Sequence, residues 1–217
     1  DYLRLADNVR FNTIPNVTAD TLLSQAPVAA FGFLGSNPGA ITIQGSQFTV
    51  TEGTGISLVG GDITLQAGTL NDGTVQPAWL SVPGGQINLA SVASAGEVSA
   101  VDFMPTSGMT MRNISLSQGA LLDVSSGAVR IRGGQLVMDE AIISADTVNS
   151  NGAPLAIDIN ITGDVSISTV DVPALTARTT GSGNAGEIRI SSQNLDVSAT
   201  ALDNFIVSAI DTHTSGS

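Results

Sequence analysis

The acidic side chains are the residues of this sequence that could most readily do chemistry. The chain carries 19 aspartates and glutamates against seven arginines, for a net charge of −12. Enzymes that cleave polysaccharides need clustered carboxylates, or a basic residue held over a sugar groove. The acids expected to face outward are spread along the chain, and they are Asp123, Asp139, Glu140, Asp158, Asp164, Asp171, Glu187, Asp196 and Asp203. Residues one period apart are neighbours, so two acids can still meet across repeats, for example Asp139 and Asp164. Because most of the acids lie at separate strand ends and turns, we predict no catalytic residue and no enzymatic activity.

Metal and nucleic-acid sites lack the residues that they need. The chain contains no cysteine and a single histidine, His213, so neither a thiolate site nor a two-histidine metal site can form. The nonapeptide of calcium-binding repeats is also missing. The seven arginines are scattered and lysine is absent, so no concentrated positive surface is available for phosphates. We therefore expect no cofactor, no metal and no nucleic-acid partner.

A glycine-rich segment, TTGSGNAGEIRI, has the composition of a loop that could hold an anion. No helix follows whose amino terminus could add to such binding. The sequence THTSGS at the end of the chain repeats TTGSG about one period later. We therefore interpret the segment as a turn between two repeats, in which Gly181, Gly183 and Gly186 supply positive φ angles or close backbone approach.

The elements that must position these residues are short strands. From residue 40 onward, apolar residues alternate with polar ones in triplets that begin at Ile41-x-Ile43, end at Leu195-x-Val197 and include Ile142-x-Ser144. This two-residue period is typical of half-buried strands. Helical periodicity is almost absent, and the best helix candidate is TADTLLSQA, residues 18–26, which Pro27 would end.

A three-strand unit recurs along the second half of the chain. The segments are VRIRGGQLVMDEAIISADT, IDINITGDVSISTVDVPALTART and EIRISSQNLDVSATALDNFIVSAIDT, and they advance by about 30 residues. Their first strands centre on Arg130, Asp158 and Arg189, their second on Val137, Ser166 and Asp196, and their third begin near Ile142, Leu175 and Ile206. A sandwich also supplies frequent strands but gives no reason for such a unit to recur in register. The pattern predicts an all-β parallel β-helix with about three short strands per coil.

The repeat also predicts which side chains meet. Arg130, Asp158 and Arg189 should point outward one above another, about 4.8 Å apart. As an exposed ladder of alternating charge, each pair should contribute only about 0 to 1 kcal/mol. The expected inward stacks are Ile131, Ile159 and Ile190, then Val129, Ile157 and Ile188, then Met138, Ile167 and Val197.

The repeat divides the chain into two parts. Residues 1–35 lack the pattern and should cap or flank the first coil, whereas residues 36–217 form the β-helix, whose last coil is expected to be open and able to self-stack. Residues 66–83 and 100–110 are interpreted as loops outside the helix. Trp79, Phe103 and Met104 lie in or near these loops, where they either pad the helix wall or contact a partner, because insertions in a regular scaffold often carry recognition.

Several phrases resemble the large exoproteins of the filamentous haemagglutinin type. They are PVAAFGFLGSNPGAITIQGSQFTV, LSVPGGQINLASVASAGEV, RGGQLVMDEAIISADT and TTGSGNAGEIRI. The resemblance implies a right-handed β-helix that is secreted or held on a bacterial cell surface, after export by a dedicated outer-membrane two-partner transporter. Of the family's NPNG and NPNL secretion motifs only Asn37-Pro38-Gly39 appears. The chain is therefore similar to an internal segment, and the transporter would recognise a part of the protein outside it.

Two functions of different class follow as expectations. The first is a structural and adhesive shaft or filament that contacts a host surface, a neighbouring cell or a polysaccharide. The alternative is a carbohydrate-binding or polysaccharide-degrading protein built on the same helix. A groove lined by acids and aromatic side chains would favour the alternative, whereas plain ladders of serine, threonine and asparagine would favour the shaft.

Overall fold

The computed structural model describes residues 1–15, 24–202 and 208–216. Every regular element within these residues is a β-strand, numbered β1 to β26 along the chain, and the predicted all-β class is confirmed. The helix predicted for residues 18–26 falls mostly outside the described residues. In the described part of the chain, no helix is long and apolar enough to cross a membrane.

Three parallel sheets make up most of the molecule. Sheet I contains β6 (Gly55–Gly60), β11 (Gln86–Ser91), β15 (Ala128–Gly133), β19 (Leu155–Ile161) and β23 (Glu187–Ser191). Sheet II contains β4 (Ile41–Gln44), β7 (Ile63–Gln66), β13 (Asn113–Ser117), β16 (Gln135–Asp139), β20 (Asp164–Val170) and β24 (Asn194–Thr200). Sheet III contains β5 (Gln47–Thr49), β10 (Trp79–Ser81), β14 (Leu121–Asp123), β17 (Ile142–Ser144), β21 (Leu175–Thr176) and β25 (Ile210–Asp211). In each sheet the strand order follows the chain, so the chain passes through the other two sheets before it returns to the same one.

The core lies between these sheets and consists of aliphatic side chains stacked in register. Ile131 pairs with Ile159, and Ile159 pairs with Ile190. The first two are fully buried, and Ile190 is half-buried against the same cluster. Burial of each such side chain contributes roughly 1.5 to 3 kcal/mol. The two predicted stacks of sheet I are confirmed.

The stack predicted in sheet II is confirmed in register, with one difference in burial. Met138 pairs with Ile167, and Ile167 with Val197. Met138 and Ile167 are fully buried, but Val197 is partly exposed. The reason is that β24 is an edge strand of sheet II within the described residues, so its side chains lack a neighbour on one side.

Sheet III corrects two details of the repeat. Ile143, not Ile142, is the fully buried residue of β17, and it pairs with Leu175. Leu175 pairs in turn with Ile210, whereas the predicted partner Ile206 lies outside the described residues. The sequence does not show which residues of this strand point inward, because two isoleucines are adjacent. In the structure Ala141 and Ala145 are buried, and the two-residue alternation between them makes Ile143 the inward isoleucine.

The interpretation of residues 66–83 as a loop is wrong in part. A short antiparallel hairpin, β8 (Gly68–Thr69) and β9 (Val75–Gln76), does leave the sheets. The chain then returns as β10, in which Leu80 is fully buried and pairs with Phe48 and Leu122 in sheet III. The sequence did not reveal this strand because only three residues of it join the ladder.

The turns from sheet II to sheet III place non-glycine residues in the left-handed region. Gln118, Glu140 and Asp171 have φ angles of 56°, 52° and 59°. The N–H of Gln118 donates to the carbonyl of Asp139, and the other two turns donate in the same way to the following repeat. Because such hydrogen bonds link one turn to the next, the stacking of repeats offsets the strain of the positive φ.

The glycine-rich segment joins a fourth, short parallel sheet. It is formed by β18 (Thr147–Val148), β22 (Thr179–Thr180) and β26 (Thr214–Ser215). Thr179 pairs with Thr214, which confirms that THTSGS repeats TTGSG one turn later. The hydroxyls of Thr147 and Thr179 are hydrogen bonded to each other at 2.8 Å in a buried position.

The amino-terminal segment flanks sheet I. Strands β1 (Tyr2–Leu5), β2 (Arg10–Asn12) and β3 (Val28–Phe33) form an antiparallel sheet with β12 (Gly96–Ser99), which follows β11. The Arg4 guanidinium binds the Glu97 carboxylate at 2.8 Å, and the Tyr2 hydroxyl donates to the same carboxylate. A second apolar cluster joins residues of β3, β11 and β12 with residues of the adjoining loops. Its buried members are Phe33, Ala90, Val92, Val98 and Phe103. Within the described residues no strand of the segment pairs with β4, β5 or β6, so it flanks the first repeat without covering its strand edges.

Candidate functional site: a polar groove on sheet I

One residue from the middle of each strand of sheet I contributes to an outward-facing column. Inward and outward side chains alternate along a strand, and the buried aliphatic residues fix the inward set. The outward column, which we call the central column, consists of Ser57, Asn88, Arg130, Asp158 and Arg189, each paired in register with the next. Neighbouring members are about one strand spacing, roughly 4.8 Å, apart.

The predicted charge ladder has the expected register but only one of its two contacts. Arg189 donates through Nε and Nη2 to Asp158 Oδ1, both at 3.2 Å. Arg130 instead donates through Nη1 to Gln86 Oε1 at 2.7 Å. The predicted contact between Arg130 and Asp158 is therefore wrong. Arg130 binds a neutral side chain of the preceding repeat instead, and Asp158 binds a further arginine.

That other arginine is Arg132, which the sequence analysis did not single out. Its Nη2 donates to Asp158 Oδ2 at 2.5 Å and its Nη1 donates to the Asp158 carbonyl oxygen at 2.7 Å. The two side chains are only 5% and 9% exposed. The prediction of an exposed ladder is therefore wrong at Asp158. Arg132 Nη2 also lies 3.4 Å from the Asp102 carbonyl oxygen, which places the loop of residues 100–110 over this end of the sheet.

The two arginines also set the ionisation of Asp158. Burial of the carboxyl raises its pKa, but hydrogen bonds and charge from Arg189 and Arg132 outweigh burial and hold the pKa below its ordinary value. Asp158 is thus a permanently charged structural group near neutral pH. A general acid would instead need a raised pKa.

A polar groove of about 550 Å³ runs along sheet I beside the central column. Its floor includes Ser57, Asn88 and Gln86, and its walls include Ala100 and Phe103 of the loop. Most of the remaining lining belongs to the glycine-rich turns that lead into β6, β11 and β15. The remaining lining residues are Gly53, Thr54, Gly55, Gly84, Gly85, Ser126, Gly127, Ala128 and Ala153. The volume falls within the roughly 300 to 1,000 Å³ typical of small-ligand sites.

Glycines shape this groove because the turns stack backbone against backbone. A Cβ at Gly85 would lie 2.0 Å from the Thr54 carbonyl oxygen, and one at Gly127 would lie 2.0 Å from the Gly85 carbonyl oxygen. Side chains at these positions would push the turns apart. The same absence of side chains leaves space beside the column, so the residues that permit stacking also create the groove.

Asn88 is the most unusual residue of the groove. It is 3% exposed, and its Nδ2 donates to Ser57 Oγ at 3.3 Å. Its Oδ1 is buried and has no hydrogen-bond partner among the described residues. A buried polar atom without a partner costs roughly 1 to 3 kcal/mol, so this atom calls for an explanation.

The three candidate contact residues lie in different environments. Trp79 is in β10, faces outward from sheet III and is half-buried. Phe103 is 4% exposed, packs 6.1 Å from Phe31 between ring centroids, and has a φ of +59°. Met104 is exposed. The structure does not bring the three together, and Phe103 is the one that lines the groove.

The other candidate groups are engaged in local contacts. Asp139 accepts from Ser168 and Asp164 accepts from Asn194, both at 2.7 Å, and the strand register keeps these two acids apart. His213 Nδ1 lies 2.8 Å from Asp211 Oδ1. No group of three acids, histidines or cysteines close enough to hold a metal occurs in the described part of the chain.

The glycine-rich segment is a turn in which several backbone N–H groups already have hydrogen-bond partners. Gly181 and Gly183 have φ angles of +85° and +131°, and a Cβ at Gly186 would lie 2.5 Å from the Ala156 side chain. The N–H of Ser182 donates to Asn149 Oδ1, and that of Asn184 donates to Asn151 Oδ1 at 2.9 Å. These amides are therefore not free to bind an anion.

Sequence reasoning missed Asn88, Gln86 and Arg132, although a signal for the first was present. The phrase GGQINLAS contains the same alternation as GAVRIRG, and aligning the two places Asn88 directly beside Arg130 in register. The burial of Arg132 had no such signal, because it depends on how the loop of residues 100–110 packs on the sheet. The burial of Asn88 is likewise visible only in the folded chain.

No protein-family model matches this chain, and neither a curated protein nor a solved structure is significantly similar to it.

Proposed function

We propose that sheets I, II and III are the faces of a right-handed parallel β-helix. The constant chain order and parallel register in all three sheets support this proposal. Crossovers between parallel strands of one sheet are right-handed in about 98% of cases, which supports the handedness. The hairpin β8–β9 and the loop of residues 100–110 are the insertions outside the helix.

We further propose that this helix is a structural and adhesive segment of a secreted bacterial surface exoprotein. The observation that carries the proposal is the uninterrupted aliphatic stack in which each repeat buries the next. A repeat of this kind cannot bury its inward face alone, so stacked repeats form a stiff rod whose length grows with repeat number. Its surface is acidic and rich in small polar residues, which suits an extracellular shaft.

The engagement of the acids supports a role without catalysis. Asp158 is neutralised by two arginines, and Asp139 and Asp164 bind neighbouring side chains in separate positions. Glycoside cleavage needs two carboxyl groups facing one another across a sugar, with one of them protonated. Among the described residues, the lining of the polar groove on sheet I includes one aromatic residue and no acid, so the groove favours binding of a ligand, as a second function of the same surface, over cleavage of a polysaccharide.

Export and adhesion can be tested together. The chain is fused behind the secretion domain of a filamentous haemagglutinin-type exoprotein and expressed with the matching outer-membrane transporter. We expect folded, protease-resistant protein in the medium, and beads coated with it should bind cultured epithelial cells more than beads coated with albumin. Retention of the fusion inside the cell would contradict the two-partner route, and equal binding of the two bead types would contradict the adhesive role.

Self-stacking is a further proposal about the same segment. Strands β4, β5 and β6 on one side, and β23, β24 and β25 on the other, have unpaired edges within the described residues. Unpaired parallel edges are templates for another copy. Light scattering should show a molar mass that rises with protein concentration, and a constant monomer mass at high concentration would refute self-stacking.

A further inference from the structure

We infer that the groove on sheet I is a binding site for a neutral oligosaccharide, with Asn88 at its centre. The inference deepens the proposed adhesive function by naming the class of molecule that the surface contacts. It starts from Asn88 Oδ1, which is buried without a partner in a polar groove. An acceptor in this position is satisfied by a ligand that brings a hydroxyl donor.

At Asn88 the groove offers no unpaired strand edge. Strand β11, which carries Asn88, is paired on both sides, by β6 and by β15, so its backbone groups are already bonded. A peptide that binds as an added strand needs an unpaired edge. A ligand lying on this face must instead meet amides, a hydroxyl and one aromatic ring, and sugars carry both the hydroxyls and the apolar ring faces for such contacts.

The spacing of the floor suits a chain of sugar residues. Ser57 and Asn88 of the floor are one strand spacing of about 4.8 Å apart, and Arg130 is the next residue in register outside the lining of the groove. That distance is comparable to the advance of an extended glycan per pyranose unit. Successive sugar units could therefore place equivalent hydroxyls over successive members of the central column.

The charges around the groove favour a neutral ligand. The Arg130 guanidinium is bonded to Gln86, and the Glu52 side chain lies beside the turn at Gly84. The chain as a whole carries a charge of −12, which repels anionic glycans at low salt. A neutral oligosaccharide meets no such repulsion.

Asn88 Oδ1 is covered in this structure, so a ligand reaches it only if part of the groove wall moves. Ala100 and Phe103 are the loop residues of that wall. Phe103 has a positive φ, a strained conformation for a bulky residue. We therefore expect this part of the wall to be the one that shifts when a ligand enters the groove.

The test titrates the folded chain with cellotetraose, with tetragalacturonic acid and with a Gly-Ser-Gly-Ser peptide. Calorimetry gives the affinity, and NMR follows the side-chain amide of Asn88. We expect cellotetraose to bind and to shift the Asn88 amide signals. Absence of binding by all three probes, or stronger binding of the acid or the peptide than of cellotetraose, would overturn the inference.

Two variants locate the site. Asn88→Leu should weaken cellotetraose binding at least ~10-fold while leaving the melting temperature unchanged or higher, because it removes an unpartnered buried acceptor. Ser57→Trp should block the groove, whereas Ser166→Trp, also at an exposed outward serine but on sheet II, should bind like the wild type. Binding that survives both Asn88→Leu and Ser57→Trp would place the sugar elsewhere. Adhesion to cells without such binding would overturn this inference and leave the proposed adhesive function standing.

Discussion

Substitution of Asp158 by alanine should be strongly destabilising. The change leaves the Arg132 guanidinium buried but removes the carboxylate that Nη2 binds at 2.5 Å. Only backbone carbonyl oxygens then accept hydrogen bonds from the guanidinium. Removing one partner of a buried ion pair costs about 3 to 5 kcal/mol. The loss of the contact to Arg189, whose side chain is 56% exposed, adds about 0 to 1 kcal/mol. The total lies well above the 0 to 1 kcal/mol that an exposed ladder would give.

Urea unfolding followed by circular dichroism measures this loss as a change in midpoint at constant slope. The control is the double variant Arg132→Met with Asp158→Leu, which removes both charges together. We expect it to recover most of the stability, because apolar replacement of a buried pair is often neutral or stabilising by about 1 to 4 kcal/mol. A loss below about 1 kcal/mol for Asp158→Ala alone, or no recovery in the double variant, would refute the buried pair as described.

The same pair predicts an effect of pH. Because the pKa of Asp158 is lower in the folded chain than its ordinary value of about 3.9, its contribution is fully present above that value. The contribution is lost as the pH falls through the lower folded pKa. Asp158→Asn should therefore lose less stability than the wild type between pH 5 and pH 2, a range of about three units around the ordinary pKa. Parallel acid-unfolding curves for the two proteins would contradict the lowered pKa.

Three further changes test the core, the threonine sheet and the glycine turn. Ile159→Ala should lower the free energy of unfolding by about 2 to 5 kcal/mol because it opens a cavity in a fully buried stack; a loss typical of surface alanines would argue against its inward position. Thr179→Val should cost about 0.5 to 1.5 kcal/mol through its buried hydroxyl contact, whereas exposed Thr180→Val should change the urea midpoint little, and equal effects would contradict the assignment. Gly181→Ala should lower the melting temperature by more than about 2 °C, because φ is +85° and the new Cβ would lie 2.1 Å from Asn149 Oδ1. An unchanged melting temperature would exclude that turn geometry.

The strand register was predictable because it depends on local alternation and a nearly constant period. Ile131, Ile159 and Ile190 could be aligned from their own neighbours, without knowledge of distant contacts. The exposure of Asp158 could not be predicted in this way, since its burial comes from Arg132 and from a loop between β12 and β13. A sequence pattern distinguishes the inner face of a strand from its outer face, but it does not tell whether another segment covers the outer face.

The candidate site was less accessible to sequence reasoning than the fold. The sequence places Phe103 in an insertion outside the regular repeat, and this residue does line the groove. Asn88 looked like an ordinary polar residue in a half-buried strand, and its missing partner can be recognised only from three-dimensional contacts. The glycines that form the groove walls were visible as turn residues, but the space that they leave beside the strands depends on how the turns stack.

The parallel stacking also determines how the segment responds to tension. Hydrogen bonds between neighbouring strands run across the strands and thus along the direction in which repeats stack. Where two neighbouring repeats meet, which we call a junction, sheets I, II and III share a pull along that direction. Each junction along the stack carries the whole force. When the junction of a terminal repeat opens, that repeat loses its packing partner and unravels, which releases about 30 residues that extend to roughly 100 Å. In the adhesive role proposed above, a contact under flow would gain length in steps. The remaining repeats would stay folded, and each released length would limit the force on the contact.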